Sequence, residues 1–255
     1  MRFRPFSTTL WRRDGKQCER PHNTATARIM RRMGVVVHFV RHTQTAWNVE
    51  GRFLGAADIP LTPLGQEHAR QLVAAFADVP LDAIYASDLS RALDTAAPVA
   101  AAKGLTVRAD SRLREMNQGE LEGHLGVDLR AQRKYDAFFA EWAHESVDVI
   151  APGGESLRAT LTRASAALAA IITAYGSGGG TSGAEASVLV VSHGLTLQML
   201  IAEAIGLPLE NAARIRPQHG SVSTIRYPAP GDNDARPSVR VPVLLRLNDR
   251  HHLGE

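Results

Sequence analysis

The chain has 255 residues, 44% of them hydrophobic, enough to bury one large core, and no uninterrupted apolar run reaches the ~20 residues that cross a bilayer. Its formal charge of +3 is uneven: residues 1–34 hold nine Arg/Lys against Asp14 and Glu19, a local net of +7, leaving the remainder at about −4. No basic stripe with interleaved aromatics extends that tail, so neither nucleic acid nor membrane is expected as a partner, and the lone Cys18 excludes an intramolecular disulfide and a cysteine-rich zinc site and fits a reducing, cytoplasmic setting.

Residues 1–33 read as a basic, disordered extension without core-like periodicity. They lack the apolar segment of a secretory signal, and their Arg and Ser/Thr content resembles an organellar transit peptide. A non-native extension reads equally well, and translation from Met33 would give a shorter protein with the same core. The main domain is assigned to residues 34–255.

Val35-Val36-Val37-His38-Phe39-Val40 is a β-branched run without polar alternation, which suits a central strand covered on both faces, and it ends at Arg41-His42. Thr62-Pro63 predicts a helix N-cap and first turn, with Leu64, His68, Leu72 and Phe76 on one face and Pro80 as the stop. Ala83–Ala86 is a second strand. The helix after it starts near Asp88–Ser90 and ends at Gly104, and Pro98 inside it costs about 3 kcal/mol unless the helix kinks. Leu105–Ala109 suggests a third strand. Residues 110–155 have no strong period and are expected to serve as a lid or specificity region.

Leu157, Leu161, Leu168 and Ile172 predict a helix over Ser156–Tyr175, and Gly176–Gly183 reads as a Gly/Ser-rich surface loop. That loop is not a phosphate-binding loop, because it follows no strand and lacks the Gly-Lys-Ser/Thr ending. Ser187–Val191 is a buried strand ending at Ser192-His193, followed by a helix from Leu195 to Ile205 and by strands at Val222–Tyr227 and Val241–Leu247. Strands alternating with helices predict the α/β class: a single three-layer α/β/α domain with a mainly parallel sheet and ligands at the carboxyl ends of its strands.

Two strands therefore each deliver a histidine, His42 and His193, to the ligand edge. Arg91 follows the second strand, and a guanidinium there matches the planar oxygens of a phosphate. From the residues alone Glu115 reads as a solvated loop glutamate, Glu155 with Ser156 as a helix start, and Asp88 and Glu122 as caps or braces.

The segment Arg41-His42-Thr43-Gln44-Thr45-Ala46-Trp47-Asn48 resembles the Arg-His-Gly-x-Thr-x-x-Asn motif of the histidine phosphatase superfamily. Asp58–Gly65, Ser87–Thr95, Glu115 with Gly119–Gly123, Pro152–Ser156 and Ser192-His193-Gly194 are similar to further motifs of that family in the same order, from about Val35 to Leu253. The resemblance implies a phosphoglycerate mutase-like fold and a small-molecule phosphomonoester as substrate, with no metal and no cofactor. It implies His42 as the nucleophile, Arg41, Arg91 and His193 on the phosphoryl oxygens, Asn48, Thr45 and Gly194 around the pocket, and Glu115 as general acid and base. His42 then needs one ring nitrogen tied to a carbonyl or carboxylate so that the other keeps its lone pair. Thr43 replaces the family's glycine, so the turn after His42 must be made at an ordinary φ.

Glu115 is followed by Met116–Gly123 without the Arg-Tyr-Gly segment of the mutases, which favours hydrolysis over phosphoryl transfer to a second substrate. A mutase and a silent phospho-ligand binding module remain as alternatives; a metal hydrolase lacks a His-x-His pair or a carboxylate cluster. A homodimer is compatible with these features. Phosphosugars, nucleotide or cofactor precursors, phosphoglycerates and phosphoproteins all stay open as substrates.

Overall fold

The computed structural model describes residues 34–144, 146–176, 185–228 and 241–254, so the 1–33 extension and nearly all of the Gly176–Gly183 loop lie outside the described residues. The strands are β1 (Val35–Arg41), β2 (Ala83–Ala86), β3 (Val107–Ala109), β4 (Ala186–Ser192), β5 (Val222–Tyr227) and β6 (Val243–Asp249). They form one sheet in the order β3-β2-β4-β1-β5-β6. β1, β2, β3 and β4 run parallel, whereas β5 is antiparallel to both β1 and β6. The amino end of β5 is therefore at the same sheet edge as the carboxyl ends of β1 and β4, with Val222 opposite Val40.

Alternate residues of the central strands feed two cores. Val37, Phe39, Val188, Val190 and Ile225 pack on α6 (Leu157–Tyr175) and α7 (Gly194–Ala204), and Val40, Ile84, Leu189, Val191 and Val222 belong to the core that includes Leu72, Phe76, Ala92, Ala96 and Val99. Each fully buried aliphatic side chain contributes about 1.5–3 kcal/mol. His38 interrupts the apolar pattern of β1. Its Nδ1 lies 3.1 Å from Thr224 Oγ1 and its Nε2 3.1 Å from Ser187 Oγ, so it ties three neighbouring strands together through polar side chains. Burial, and then Arg246, lowers its pKa from 6.5 to about 4.

Helix α1 is a single turn (Ala46–Glu50), α2 spans Pro63–Ala75 and α3 spans Ser90–Lys103. Thr62 caps α2 by accepting from Gly65 N at 3.0 Å. The helix stops at Ala75, short of Pro80, and its buried residues are Gly65, Ala69 and Leu72 while Leu64 is exposed. The reason is close approach: a Cβ on residue 65 would stand 2.2 Å from Gln44 O, so only glycine lets α2 lie against the turn that follows His42. Pro98 lies within an α3 that continues to Lys103. The carbonyl it leaves without an N–H partner belongs to Asp94, on the exposed side.

Residues 110–155 fold into short helical turns, α4 (Gly126–Arg130) and α5 (Asp136–Ala143). Among the described residues no helix is long and apolar enough to cross a membrane.

Candidate active site

β1 carries Arg41 to the sheet edge, and His42 follows with its backbone N–H donating to Ser192 O at 2.9 Å. The ring is buried, and its Nδ1 lies 2.7 Å from Thr43 O. A carbonyl can only accept, so Nδ1 carries the proton and Nε2 keeps a lone pair. Burial, with His193 and Arg91 close by, holds the His42 pKa well below the usual imidazole range. Thr43 is fully buried; its N–H donates to Thr95 Oγ1 at 3.1 Å, and the two hydroxyls are 3.2 Å apart. Asn248 is the non-glycine residue with positive φ among those described, so Thr43 makes its turn at an ordinary φ.

His193, at the end of β4, is the mirror case. Arg91 Nε donates to its Nδ1 at 3.2 Å, which makes Nδ1 the acceptor and places the proton of the neutral ring on Nε2. That Nε2 is buried with no protein partner. The two rings are 5.1 Å apart, one offering a lone pair at Nε2 and the other an N–H.

Arg91 is fully buried and donates to Ala57 O at 2.6 Å and Gly55 O at 2.7 Å. The loop bearing those carbonyls is held in turn by Glu122, whose carboxylate accepts from Ala56 N at 2.8 Å and Ala57 N at 2.9 Å. A side chain at Gly55 would overlap Glu122, and its φ of +50° already requires glycine. Burial lowers the Arg91 pKa to about 10, which leaves it charged at neutral pH.

Glu115 reaches the amino end of α7. Its Oε1 accepts from Met116 N at 3.0 Å and from Thr196 N and Oγ1 at 3.1 Å each, and its Oε2 accepts from Leu195 N at 3.0 Å. Free N–H groups of a first helical turn thus orient a carboxylate. Thr196 Oγ1 is also 2.8 Å from Arg114 O, so its single proton is shared between a carbonyl and Glu115. The Glu115 segment is clamped from behind by Arg163, which donates to the carbonyls of Arg112, Arg114 and Glu115 and pairs with Glu155 at 2.9 Å. Glu155 also accepts from Asn117 N, and Asp88 forms a two-bond ion pair with Arg114, so both carboxylates are braces.

Arg41, His42, Asn48, Glu115 and Gly194 line one cavity of about 510 Å3, together with Trp47, Arg52, Trp142 and His219. Arg91 and His193 lie fully buried beside it. Arg41 donates to Pro217 O at 2.9 Å, and its Nε is buried without a partner. A Cβ on residue 194 would come within 3.2 Å of the Arg41 guanidinium carbon, so glycine there leaves that group its place. Thr45 is fully buried and turned away from the cavity's lining; its hydroxyl donates to Asn48 Oδ1 at 2.9 Å and so positions Asn48.

A scan of family models matches residues 37–233 to the histidine phosphatase superfamily, branch 1. The chain belongs to that superfamily. It is 35% identical over 198 residues to a probable phosphoglycerate mutase, GpmB, of Salmonella choleraesuis (strain SC-B67), covering 75% of this chain and 84% of the relative. The fold is similar to that of the alpha-ribazole phosphatase from Shigella flexneri, with a TM-score of 0.69 at 29% identity over 84% of this chain and 96% of the other. It is also similar to a mycobacterial glucosyl-3-phosphoglycerate phosphatase in complex with inorganic phosphate, with a TM-score of 0.69 at 27% identity over 86% and 99% of the two chains.

As a member of the histidine phosphatase superfamily, the chain adds one residue that its strand-end histidines do not announce. His219, in Pro217-Gln218-His219-Gly220-Ser221, has its ring 5.6 Å from that of His42, and burial followed by Arg41 lowers its pKa to about 3. It precedes β5, and the antiparallel course of that strand brings it to the same edge as His42 and His193. The loop is anchored from the far side: Gln218 N donates to Asn248 Oδ1 at 2.8 Å, and Arg250 donates to Gln218 Oε1 at 2.8 Å. The signal in the sequence is the pair His219-Gly220, which repeats the pairing of His193-Gly194.

Proposed function

We propose that the protein is a phosphomonoester hydrolase that passes the phosphoryl group through Nε2 of His42. The observation that carries this reading is a lone pair at His42 Nε2 beside two buried donors without protein partners, Arg41 Nε and His193 Nε2. Buried donors are normally satisfied, and an oxyanion would satisfy both. The phosphate bound by the similar mycobacterial phosphatase supports the same choice of ligand.

In this reading Nε2 attacks phosphorus in line as the ester P–O bond breaks, and Glu115 gives its proton to the departing oxygen. Water then attacks the phosphohistidine, Glu115 takes the water's proton, and the P–N bond breaks to restore the lone pair. Arg41, Arg91 and His193 hold the phosphoryl oxygens, Asn48 and Gly194 line their surroundings, and Thr45 acts through Asn48.

The test is His42→Ala with a rapid quench of wild type on substrate. Turnover should vanish in the variant, and wild type should carry an acid-labile, base-stable phosphoryl group. Undiminished turnover in His42→Ala would end the proposal. The relationship to a probable phosphoglycerate mutase favours one second reading, transfer of the phosphoryl group from His42 to another hydroxyl acid. Product analysis separates them: hydrolysis releases inorganic phosphate, whereas mutase action returns a phosphorylated acceptor.

A further inference from the structure

A second cavity, of about 180 Å3, lies beside the first. Val147, Leu157, Leu209 and Ala213 form its apolar side, Ser146 and Glu210 add polar groups, and Trp142, Leu195, Gln198 and Arg216 line both cavities, so the two share a wall. None of Arg41, His42 or Glu115 reaches the second cavity. Its size matters, because a cavity of about 150 Å3 lined by aliphatic side chains holds one benzene molecule.

An apolar hollow left unfilled forfeits dispersion contacts on its lining atoms. Here the space persists among side chains from five separate places: α5 (Trp142), the segment after it (Val147), the first turn of α6 (Leu157), α7 (Leu195 and Gln198) and the turn at Leu209–Arg214. Arg216 Nε donates to Ala213 O at 3.3 Å, which holds that cation at the shared wall, and no ion pair among the described residues uses it. An occupant entering through the active site would pass Gln198 and Arg216, which can donate hydrogen bonds, before meeting walls that are mainly aliphatic.

Building on the hydrolase reading, we propose that the second cavity is a subsite for the far end of the leaving alcohol. The substrate class is then a phosphomonoester whose alcohol ends in an apolar group of about one six-membered ring, joined to the ester by a linker bearing hydrogen-bond acceptors. Phosphate recognition fixes one end of such a molecule, and the apolar subsite selects it by length.

The experiment uses ω-phenylalkyl phosphonates with linkers of increasing length, compared with methylphosphonate, titrated into the full chain by calorimetry. Phosphonates bind without being cleaved, so the result does not depend on turnover; hydrolysis of p-nitrophenyl phosphate is measured separately and tests the hydrolase reading alone. Affinity should rise abruptly, by about tenfold or more, at the linker length that delivers the ring to the subsite. Ala213→Trp, which fills the cavity, should bring the ratio of long to short affinities back to about one, and Ser146→Trp offers a second way to fill it. Small, even increments per methylene in wild type, or an undiminished ratio in a folded filled variant, would overturn the subsite whatever the outcome with p-nitrophenyl phosphate.

Discussion

Asp58 Oδ1 accepts from both the N–H and the hydroxyl of Ser90, at 2.8 and 2.7 Å, and thereby caps α3 from a different loop. The helix has no side-chain cap of its own, because Leu89 occupies the N-cap position. Arg91 is the next residue, so the contact that starts the helix also fixes where the buried guanidinium begins. Asp58→Ala should lower stability by about 1 kcal/mol in urea unfolding. It should also weaken phosphate binding more than a cap replacement on α2 does, as measured by inorganic phosphate inhibition; equal effects from the two caps would separate Asp58 from Arg91.

Glu115→Gln preserves the shape of the carboxylate but cannot supply a proton. Single-turnover phosphorylation should slow by roughly 10²–10⁴-fold on an alkyl phosphate, whose alkoxide must be protonated as it leaves, and far less on p-nitrophenyl phosphate. Equal slowing on both would assign Glu115 to holding α7 in place.

The pKa of His42 is depressed, so its neutral, nucleophilic form persists below pH 6.5, where a free imidazole takes up a proton. His193 behaves likewise through burial and Arg91. Imidazole proton spectra of the folded protein should show no titration step for either residue near pH 6.5. A midpoint there for His42 would contradict the burial argument.

Stability should follow a different course. His38 has a folded pKa of about 4 against 6.5 for an ordinary imidazole, so between those values the unfolded chain binds a proton that the folded one refuses. Stability is therefore highest above pH 6.5, declines as pH falls toward 4, and gains no further loss from His38 below that. His38→Gln should flatten part of the decline seen in urea titrations at successive pH values, with the buried active-site imidazoles supplying the rest.

His42 and His193 were legible in the sequence because each ends a β-branched run that suits a buried strand, and parallel strands present their carboxyl ends together. His219 was not, because it stands ahead of its strand. A residue at the start of β5 belongs at this edge only if β5 runs antiparallel, and that depends on pairing with β1, which no local pattern encodes. The amino end of the α2 face was misread for a related reason: Leu72 and Phe76 are core as expected, but Leu64 is exposed, because close packing on Gln44 turns Gly65 and Ala69 inward there. Thr45 shows the same limit on a smaller scale, since its motif position gives its importance while its capping geometry gives its job.

The anchoring of Gln218 to Asn248 and Arg250 has a thermal consequence. β6 is an edge strand with Val243, Leu245 and Leu247 exposed and a register shift in its pairing with β5, so it belongs to the part of the sheet that opens at the lowest free energy. His42, His193 and Arg91 hang on interior elements, whereas the loop carrying His219 divides its anchors between Arg41 of β1, which bonds Pro217 and Gly220, and that edge, which holds Gln218. On heating, the His219 loop should lose its edge-side anchors while the sheet is still intact, and activity should begin to fall, reversibly, ahead of the melting transition.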